Sequence, residues 1–220
     1  ETKNINGISH FLEHMFFKGT IKRPGKSQIA QELDAVGAAY NAFTDKELTG
    51  YWVKTDSKHA DLAFDVVSDI FLNSTIPAAE IEKERGVIIG EIDMYEDTPT
   101  RKIGDLFEEL LYGDQPVGWD IAGRKEVIRA LKRNNFIKYL SRYYKSRNVV
   151  VAVAGNIDTA KARAQVKKYF KTIAPGGTGQ PLACKEKQNL PQIKISYKKT
   201  DQTHLILGLR AYDLFDPRRW

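Results

Sequence analysis

Residues 8–17 read Ile-Ser-His-Phe-Leu-Glu-His-Met-Phe-Phe and have the periodicity of an amphipathic α-helix. At about 100° per residue, five apolar side chains fall on one side of this helix: Ile8, Phe11, Leu12, Met15 and Phe16. His10, Glu13 and His14 fall on the opposite side, together with Phe17. Because residues i and i+4 lie one turn apart, both imidazoles can reach one point in space, with the carboxylate beside them.

This H-x-x-E-H pattern contains the donor atoms of a catalytic zinc site. Two imidazole nitrogens suit a tetrahedral Zn²⁺ that keeps an open position for water, and Glu13 is a base within reach of that position. A solvated helix face that carries His and Glu by chance is the alternative interpretation. Phe17 argues against it, since a large apolar ring lies on the side that would face water. We therefore predict a helix that supplies two metal ligands, His10 and His14.

The composition is that of an ordinary soluble globular protein. Hydrophobic residues make up 42% and charged residues 28% of the 220 positions, a length that suits one domain or one and part of another. No run approaches the ~18 apolar residues of a membrane span, and no signal peptide opens the chain. The chain begins at Glu1 without a Met, so a removed presequence and missing first strands both stay open.

Charge and cysteine content narrow the expected partners and compartment. The net charge is +6, but 34 basic and 28 acidic residues are interleaved, and no basic stripe carries periodic aromatics. We therefore expect no nucleic-acid partner; the charge indicates a mildly basic surface or a preference for acidic partners. Cys184 is the single cysteine, which excludes an internal disulfide and suits a reducing compartment. We predict the bacterial cytoplasm, with the mitochondrial matrix and the periplasm as alternatives.

Strand-like and helix-like segments are grouped along the chain. Apolar alternation and near-continuous apolar runs predict strands at 39–44, 48–55, 148–154, 192–198 and 204–209. Capped amphipathic stretches predict helices, including one over 58–72 and one over 78–95. Antiparallel-type strands with helices grouped between them indicate the α+β class, as a two-layer sandwich in which helices cover a mostly antiparallel sheet.

A segment of linker composition divides the chain. Residues 174–179 read Ala-Pro-Gly-Gly-Thr-Gly, and such a sequence is typical of a flexible connection. We therefore predict a first domain over 1–173, a linker over 174–191 and a second domain that begins at 192. The second domain would be truncated, because the chain stops at residue 220 just as a new helix is predicted to open.

The two histidines require a further ligand, since a catalytic zinc usually has three from the protein. Glu84 and Glu91 are candidates, because they lie two turns apart on the predicted helix and share a face. Gly86 and Gly90 lie on a neighbouring stripe. Glycine costs about 1 kcal/mol relative to alanine in a helix interior, so the pair suggests close approach by another element. A plain surface helix that tolerates two glycines is the alternative.

Together these residues resemble the pitrilysin-type zinc peptidases (family M16), in particular the branch of the mitochondrial processing peptidase. The resemblance rests on the inverted H-x-x-E-H motif at 10–14, followed by Glu91 at 77 positions after His14. Sequence segments that match the family occur at 7–9, 17–20, 41–44, 84–92 and 148–155, so the similarity spans essentially the whole chain. It implies that 1–173 is a zinc peptidase domain whose first strands are missing, and that 192–220 begins a second, homologous domain.

The resemblance also assigns roles to the candidate residues. By it, His10, His14 and Glu91 are the ligands of one Zn²⁺ per chain, and Glu13 is the general base for a metal-activated water. Glu84 is an acid near the site, able to hydrogen-bond a ligating imidazole and fix its tautomer.

A substrate-binding strand is implied in the same way. Asn41, Ala42, Phe43 and Thr44 match a sheet edge that binds extended substrate by strand addition, through main-chain hydrogen bonds. For Asn41, a turn residue that enters a strand is the alternative.

The implied function is a zinc metalloendopeptidase that hydrolyses extended or unfolded peptides. The implied partners are a peptide substrate and a second homologous domain or partner subunit, in a dimer. The same fold also serves as non-catalytic companion or structural subunits, which is the alternative function. Those relatives usually lack the H-x-x-E-H set, and its presence at 10–14 therefore favours the enzyme.

Overall fold

The computed structural model describes residues 1–25, 27–177, 181–186 and 188–219. Within these ranges the chain forms one antiparallel β-hairpin and eight α-helices, so the predicted α+β class is confirmed. In chain order the elements are α1 (Ile8–Met15), α2 (Gln28–Asp34), β1 (Ala39–Thr44), β2 (Thr49–Lys54), α3 (Ala60–Asn73), α4 (Ala78–Asp97), α5 (Pro99–Tyr112), α6 (Lys125–Ala130), α7 (Arg133–Tyr143) and α8 (Thr159–Tyr169).

Helix α1 lies at the centre of the hydrophobic core. All five side chains of its predicted apolar side are completely buried. They belong to one cluster with apolar side chains of α2, α3, α4, α6 and α7, among them Leu33, Ile70, Ile88, Ile128 and Phe136. Burying each such side chain contributes roughly 1.5–3 kcal/mol. The core therefore fixes the rotation of α1 about its own axis, and with it the direction of the opposite, polar side.

The N-terminus of α1 is held by a carboxylate and by a close backbone contact. The side chain of Glu1 accepts hydrogen bonds from the backbone N–H groups of Gly7, at 2.9 Å, and Ser9, at 2.8 Å. These are donors that a helix start leaves without partners. Gly7 has φ 93°, and a Cβ there would lie 2.6 Å from the carbonyl oxygen of Ala122. Only glycine fits this crossing of two backbone segments.

The β-hairpin packs against α1. Its register pairs Ala39 with Lys54 and Thr44 with Thr49. The predicted first strand, 39–44, is confirmed to the residue, and the second is one residue shorter at each end than predicted. Because the last residue of β1 lies beside the polar side of α1, the hairpin delivers a side chain to the candidate site.

A buried arginine fixes the connection that follows α1. Only 2% of the Arg23 side chain is exposed. Its guanidinium donates to Glu32 at 2.8 Å, to Asp65 at 2.6 Å and to Asp69 at 2.8 Å. The hydroxyl of Thr20 also donates to Asp69, at 2.6 Å. Buried charges are tolerated when they are paired and hydrogen-bonded, so this network ties the connection to α2 and α3.

The predicted strands at 148–154, 192–198 and 204–209 are not strands in the structure. No strand within the described ranges pairs with any of them. Val150 is 91% exposed, so the expected cover on both faces is absent there. Leu205, Leu207 and Leu209 are 87%, 91% and 90% exposed. A strand requires a hydrogen-bonded neighbour, and apolar periodicity reports only the side chains.

Two other expectations have different outcomes. Apart from the neighbouring residues and backbone of α4 itself, no described atom lies within 4 Å of a Cβ placed on Gly86 or Gly90, so the predicted close approach by another element is wrong. Both glycines face open space on the exposed side of α4. The domain boundaries stay a prediction. Residues 178–180 and 187 of the predicted linker, and Trp220 of the predicted second domain, lie outside the described residues.

Candidate metal centre

Helices α1 and α4 bring three potential metal ligands together. His10 and His14 project from the polar side of α1, and Glu91 projects from α4, which packs against it. The Oε2 atom of Glu91 lies 3.5 Å from Nε2 of His10 and 3.5 Å from Nε2 of His14. One ligand atom from each residue can be chosen such that all three lie within 4.8 Å of one another.

This donor set fits a tetrahedral zinc ion. Ligand atoms at about 2.0–2.2 Å from tetrahedral zinc lie roughly 3.4 Å from one another. The two measured separations from Glu91 Oε2 are 3.5 Å, close to that value. Two imidazoles and one carboxylate leave one tetrahedral position for water or substrate, the arrangement of catalytic zinc sites.

His10 is the more buried of the two imidazoles, with 8% of the residue exposed. Burial lowers the pKa of His10, and the neighbouring His14 lowers it further; together they outweigh the opposite effect of the Glu91 carboxylate. The neutral imidazole, which is the form that binds metals, is therefore favoured. Its Nδ1 atom is buried and has no hydrogen-bond partner among the described residues.

His14 has a partner on the ring nitrogen that faces away from Glu91. Its Nδ1 lies 3.2 Å from Oε2 of Glu84. A carboxylate only accepts hydrogen bonds, so Nδ1 carries the proton and Nε2 presents its lone pair towards Glu91. The other oxygen of Glu84, Oε1, lies 2.7 Å from Nζ of Lys18. The structure thus places Glu84 beside a candidate ligand, and it adds Lys18, which the sequence analysis did not select.

Glu91 is oriented by a tyrosine one helical turn further along α4. The hydroxyl of Tyr95 donates a hydrogen bond to Oε1 of Glu91, so that Oε2 faces the two imidazoles. Burial and this hydrogen bond raise the pKa of Tyr95 to about 12, so the hydroxyl remains a donor at neutral pH. The guanidinium of Arg101 lies 3.3 Å from the centre of the Tyr95 ring and packs on its face.

The candidate base Glu13 contacts the hairpin. The hydroxyl of Thr44, the last residue of β1, donates a hydrogen bond of 2.5 Å to Oε2 of Glu13. Of the predicted substrate strand, Thr44 therefore faces the site through its side chain. Asn41 accepts a hydrogen bond from the next backbone N–H, at 2.9 Å, and 47% of Phe43 is exposed.

Sequence reasoning missed three side chains around the site: Lys18, Tyr95 and the hydroxyl of Thr44. The first two could have been found by spacing, since Lys18 follows His14 by four residues and Tyr95 follows Glu91 by four. No spacing rule links Thr44 to Glu13, because the contact joins a strand to a helix 31 residues away.

None of the helices in the described part of the chain has the length and apolar run that a membrane crossing needs.

Solved structures share the fold. A protease from Helicobacter pylori superimposes with a TM-score of 0.77 at 23% identity, over 85% of this chain and 45% of that one. A peptidase M16 inactive domain from Pseudomonas fluorescens superimposes with a TM-score of 0.75 at 16% identity, over 82% of this chain and 44% of that one.

Curated relatives are more similar in sequence. An uncharacterized zinc protease of Bacillus subtilis, YmxG, is 40% identical over 97% of this chain and 51% of its own length. A second uncharacterized zinc protease, from Streptomyces coelicolor, is 36% identical over 100% of this chain and 49% of its own length. The chain thus spans about half the length of the curated relatives it matches.

Family models cover nearly all of the sequence. Residues 1–125 match the model of insulinase (peptidase family M16), and residues 130–220 match the model of the peptidase M16 inactive domain. The first match includes all the candidate site residues from His10 to Glu91. The resemblance to family M16 is confirmed, while the branch of the mitochondrial processing peptidase stays a prediction. The chain belongs to the insulinase family of peptidases, family M16.

Proposed function

We propose that this chain is a zinc metalloendopeptidase that hydrolyses extended or unfolded peptides. The observation that carries the proposal is the convergence of His10, His14 and Glu91, with two separations of 3.5 Å, beside the carboxylate of Glu13 on the same side of α1. Membership of a peptidase family and the names of the zinc proteases related to it support the same conclusion.

Each residue of the site has a distinct part in this proposal. His10, His14 and Glu91 hold one zinc ion. A zinc ion bound there supplies Lewis acidity, which makes water a nucleophile near neutral pH. Glu13 acts as the general base: its Oε2 is engaged by Thr44, which leaves Oε1 to accept the proton of the attacking water and to return it to the leaving amine.

The substrate is proposed to add as a strand to β1. One edge of β1 pairs with β2, and no strand in the described ranges pairs with its other edge. Residues Asn41, Ala42, Phe43 and Thr44 would bind the peptide through main-chain hydrogen bonds, which require an extended substrate and little sequence specificity. Thr44 would then lie at the end of the strand nearest Glu13, so that the bound peptide runs past the site.

A second homologous domain or a partner subunit is proposed to complete the active peptidase. Curated relatives have about twice the length that this chain matches, and residues 130–220 match the inactive domain of the family. The exposed side chains of Leu205, Leu207 and Leu209, at alternate positions of one segment, support an additional partner, since groups of exposed apolar side chains mark interaction sites. We also propose a dimer and a location in the bacterial cytoplasm. The relatives from two bacteria support a bacterial source.

Peptide cleavage with and without metal tests the proposed function. The chain is treated with a chelator, dialysed, and assayed on an unstructured fluorogenic peptide before and after zinc is restored. We expect cleavage only with zinc, and none from Glu13→Gln under either condition. Equal cleavage without zinc would refute a metalloenzyme. The non-catalytic alternative predicts that the wild type and Glu13→Gln are equally inactive after zinc has been restored, also when the proposed second domain or partner subunit is supplied.

A further inference from the structure

The carboxylate of Glu84 lies between the imidazole of His14 and the ammonium group of Lys18. Its Oε2 accepts a hydrogen bond from Nδ1 of His14 at 3.2 Å, and its Oε1 lies 2.7 Å from Nζ of Lys18. Only 9% of the Glu84 side chain and 28% of the Lys18 side chain are exposed. The two oxygens thus have different partners, and both partners come from the chain segment that carries the H-x-x-E-H motif.

The arrangement follows from helix geometry. Lys18 follows His14 by four residues, directly after α1, and Glu84 precedes Glu91 by seven residues on α4. Residues seven apart share a helix face, so Glu84 and Glu91 both point at α1. Glu91 meets Nε2 of His14 while Glu84 meets Nδ1, so α4 contacts both nitrogens of one ring.

We propose that Lys18 is a positioning residue for the metal centre, acting on His14 through Glu84. This inference rests on the proposed role of His14 as a zinc ligand. A buried carboxylate without a cationic partner is costly, so loss of Lys18 favours rotation of Glu84 towards water. His14 then loses the acceptor that holds its Nδ1 proton and its ring orientation, and Nε2 is no longer fixed towards the metal position.

The two candidate histidine ligands differ in this respect. His14 has Glu84 and, behind it, Lys18, whereas Nδ1 of His10 has no hydrogen-bond partner among the described residues. His10 is instead held by burial, being 8% exposed. Lys18 therefore supports one ligand of the pair, the one that lies nearer the end of α1.

Zinc affinity measured by competition with a chromophoric chelator tests the inference. Hydrogen-bond partners of metal ligands typically contribute about 10–100-fold to affinity, and we expect a loss in this range for Lys18→Met. Lys18→Arg keeps the charge and should retain most of the affinity. Lys83→Met is the matched control: Lys83 pairs with Glu80 on α4 and is 60% exposed, so its loss should leave zinc affinity unchanged.

A double-variant comparison separates action through Glu84 from a simple tether between helices. In Glu84→Gln the carboxylate is absent, so adding Lys18→Met should cause no further loss of zinc affinity. A tether would lower the melting temperature of the metal-free protein in Lys18→Met but leave zinc affinity unchanged, and this result would overturn the inference. If Lys18→Met alone does not fold, Lys18→Gln, which removes the charge but keeps a polar side chain, takes its place in both the single and the double variant.

The same titration distinguishes two kinds of failure. If the wild-type chain binds no zinc, the proposed metal centre is wrong and the role of Lys18 falls with it. If the wild type binds zinc and Lys18→Met binds it equally well, only the role of Lys18 is wrong. A further loss of affinity in the double variant, beyond that of Glu84→Gln, would also contradict action through Glu84.

Discussion

The hydroxyl of Thr44 donates a 2.5 Å hydrogen bond to Oε2 of Glu13, and this contact joins the end of strand β1 to the H-x-x-E-H helix. The family resemblance predicts that Thr44 belongs to a substrate-binding strand and acts through its main chain. The structure gives its side chain a second contact. The predicted substrate strand and the candidate base are therefore connected by one side chain, so we expect a change in β1 to alter the position of the Glu13 carboxylate.

Removing that hydroxyl should slow turnover without removing metal. A hydrogen bond to a charged group contributes about 1.5–3 kcal/mol, so we expect Thr44→Val to lower kcat by about tenfold or more. Thr44→Ser keeps the hydroxyl and should retain most of the activity. Zinc content should equal that of the wild type in both variants. Wild-type kcat in Thr44→Val would show that Glu13 needs no such partner.

Replacement of Glu13 by Gln distinguishes the proposed role of a base from that of a metal ligand. The amide is isosteric with the carboxylate but cannot accept the proton, and general acid–base catalysis typically contributes about 10²–10⁴-fold. We expect a loss of kcat in that range with zinc content unchanged, measured by metal analysis of the same samples. If Glu13→Gln lost zinc as readily as His14→Ala does, Glu13 would be a ligand and the assignment of roles would be wrong.

The Arg23 network should be the main polar contributor to stability near the site. Removing one partner of a buried, hydrogen-bonded charge group typically costs about 3–5 kcal/mol, since the remaining charges stay buried. We expect Arg23→Met to lower the free energy of unfolding by this amount. The side chain of Asp69 is only 4% exposed, and in this variant its carboxylate loses the guanidinium that pairs with it. Lys22→Met is the control. Lys22 is 58% exposed and pairs with Asp65 at the surface, so its loss should cost less than about 1 kcal/mol.

Acid should weaken the same network. Burial favours a higher pKa for Asp65, but hydrogen bonds from Lys22 and Arg23 outweigh it and lower the pKa below its usual value. A carboxyl whose pKa is lower in the folded state contributes stability that is complete above the unfolded pKa, about 3.9, and disappears as pH falls through the folded pKa. The melting temperature should therefore decrease as the pH is lowered below about 4. In Asp65→Asn this decrease should be less steep. An equally steep fall in Asp65→Asn would exclude Asp65 as a source of this dependence.

Local pattern was sufficient for the helices and the hairpin. The apolar side of α1 is buried as its periodicity predicts, and strand 39–44 has the predicted bounds. Pattern was insufficient at 148–154, 192–198 and 204–209, where apolar residues predict strands that have no described partner. A strand pairs with a second segment elsewhere in the chain, and the local pattern of one segment contains no information about that partner.

The site shows the same division between local and distant contacts. The spacing of His10 and His14 on one helix predicted their convergence, and family resemblance was needed to choose Glu91 from the downstream acids. Contacts across elements, such as Thr44 with Glu13, carry no signal in spacing because packing alone brings them together.

The central claim, that one zinc ion is held by His10, His14 and Glu91, is tested most directly by anomalous scattering. A crystal grown with zinc is measured on both sides of the zinc absorption edge, and the difference map locates the metal. We predict one peak per chain, at about 2.0–2.2 Å from Nε2 of each imidazole and from the Glu91 carboxylate. A peak bound by other residues, or none at this position in crystals of the zinc-loaded protein, would contradict the assignment.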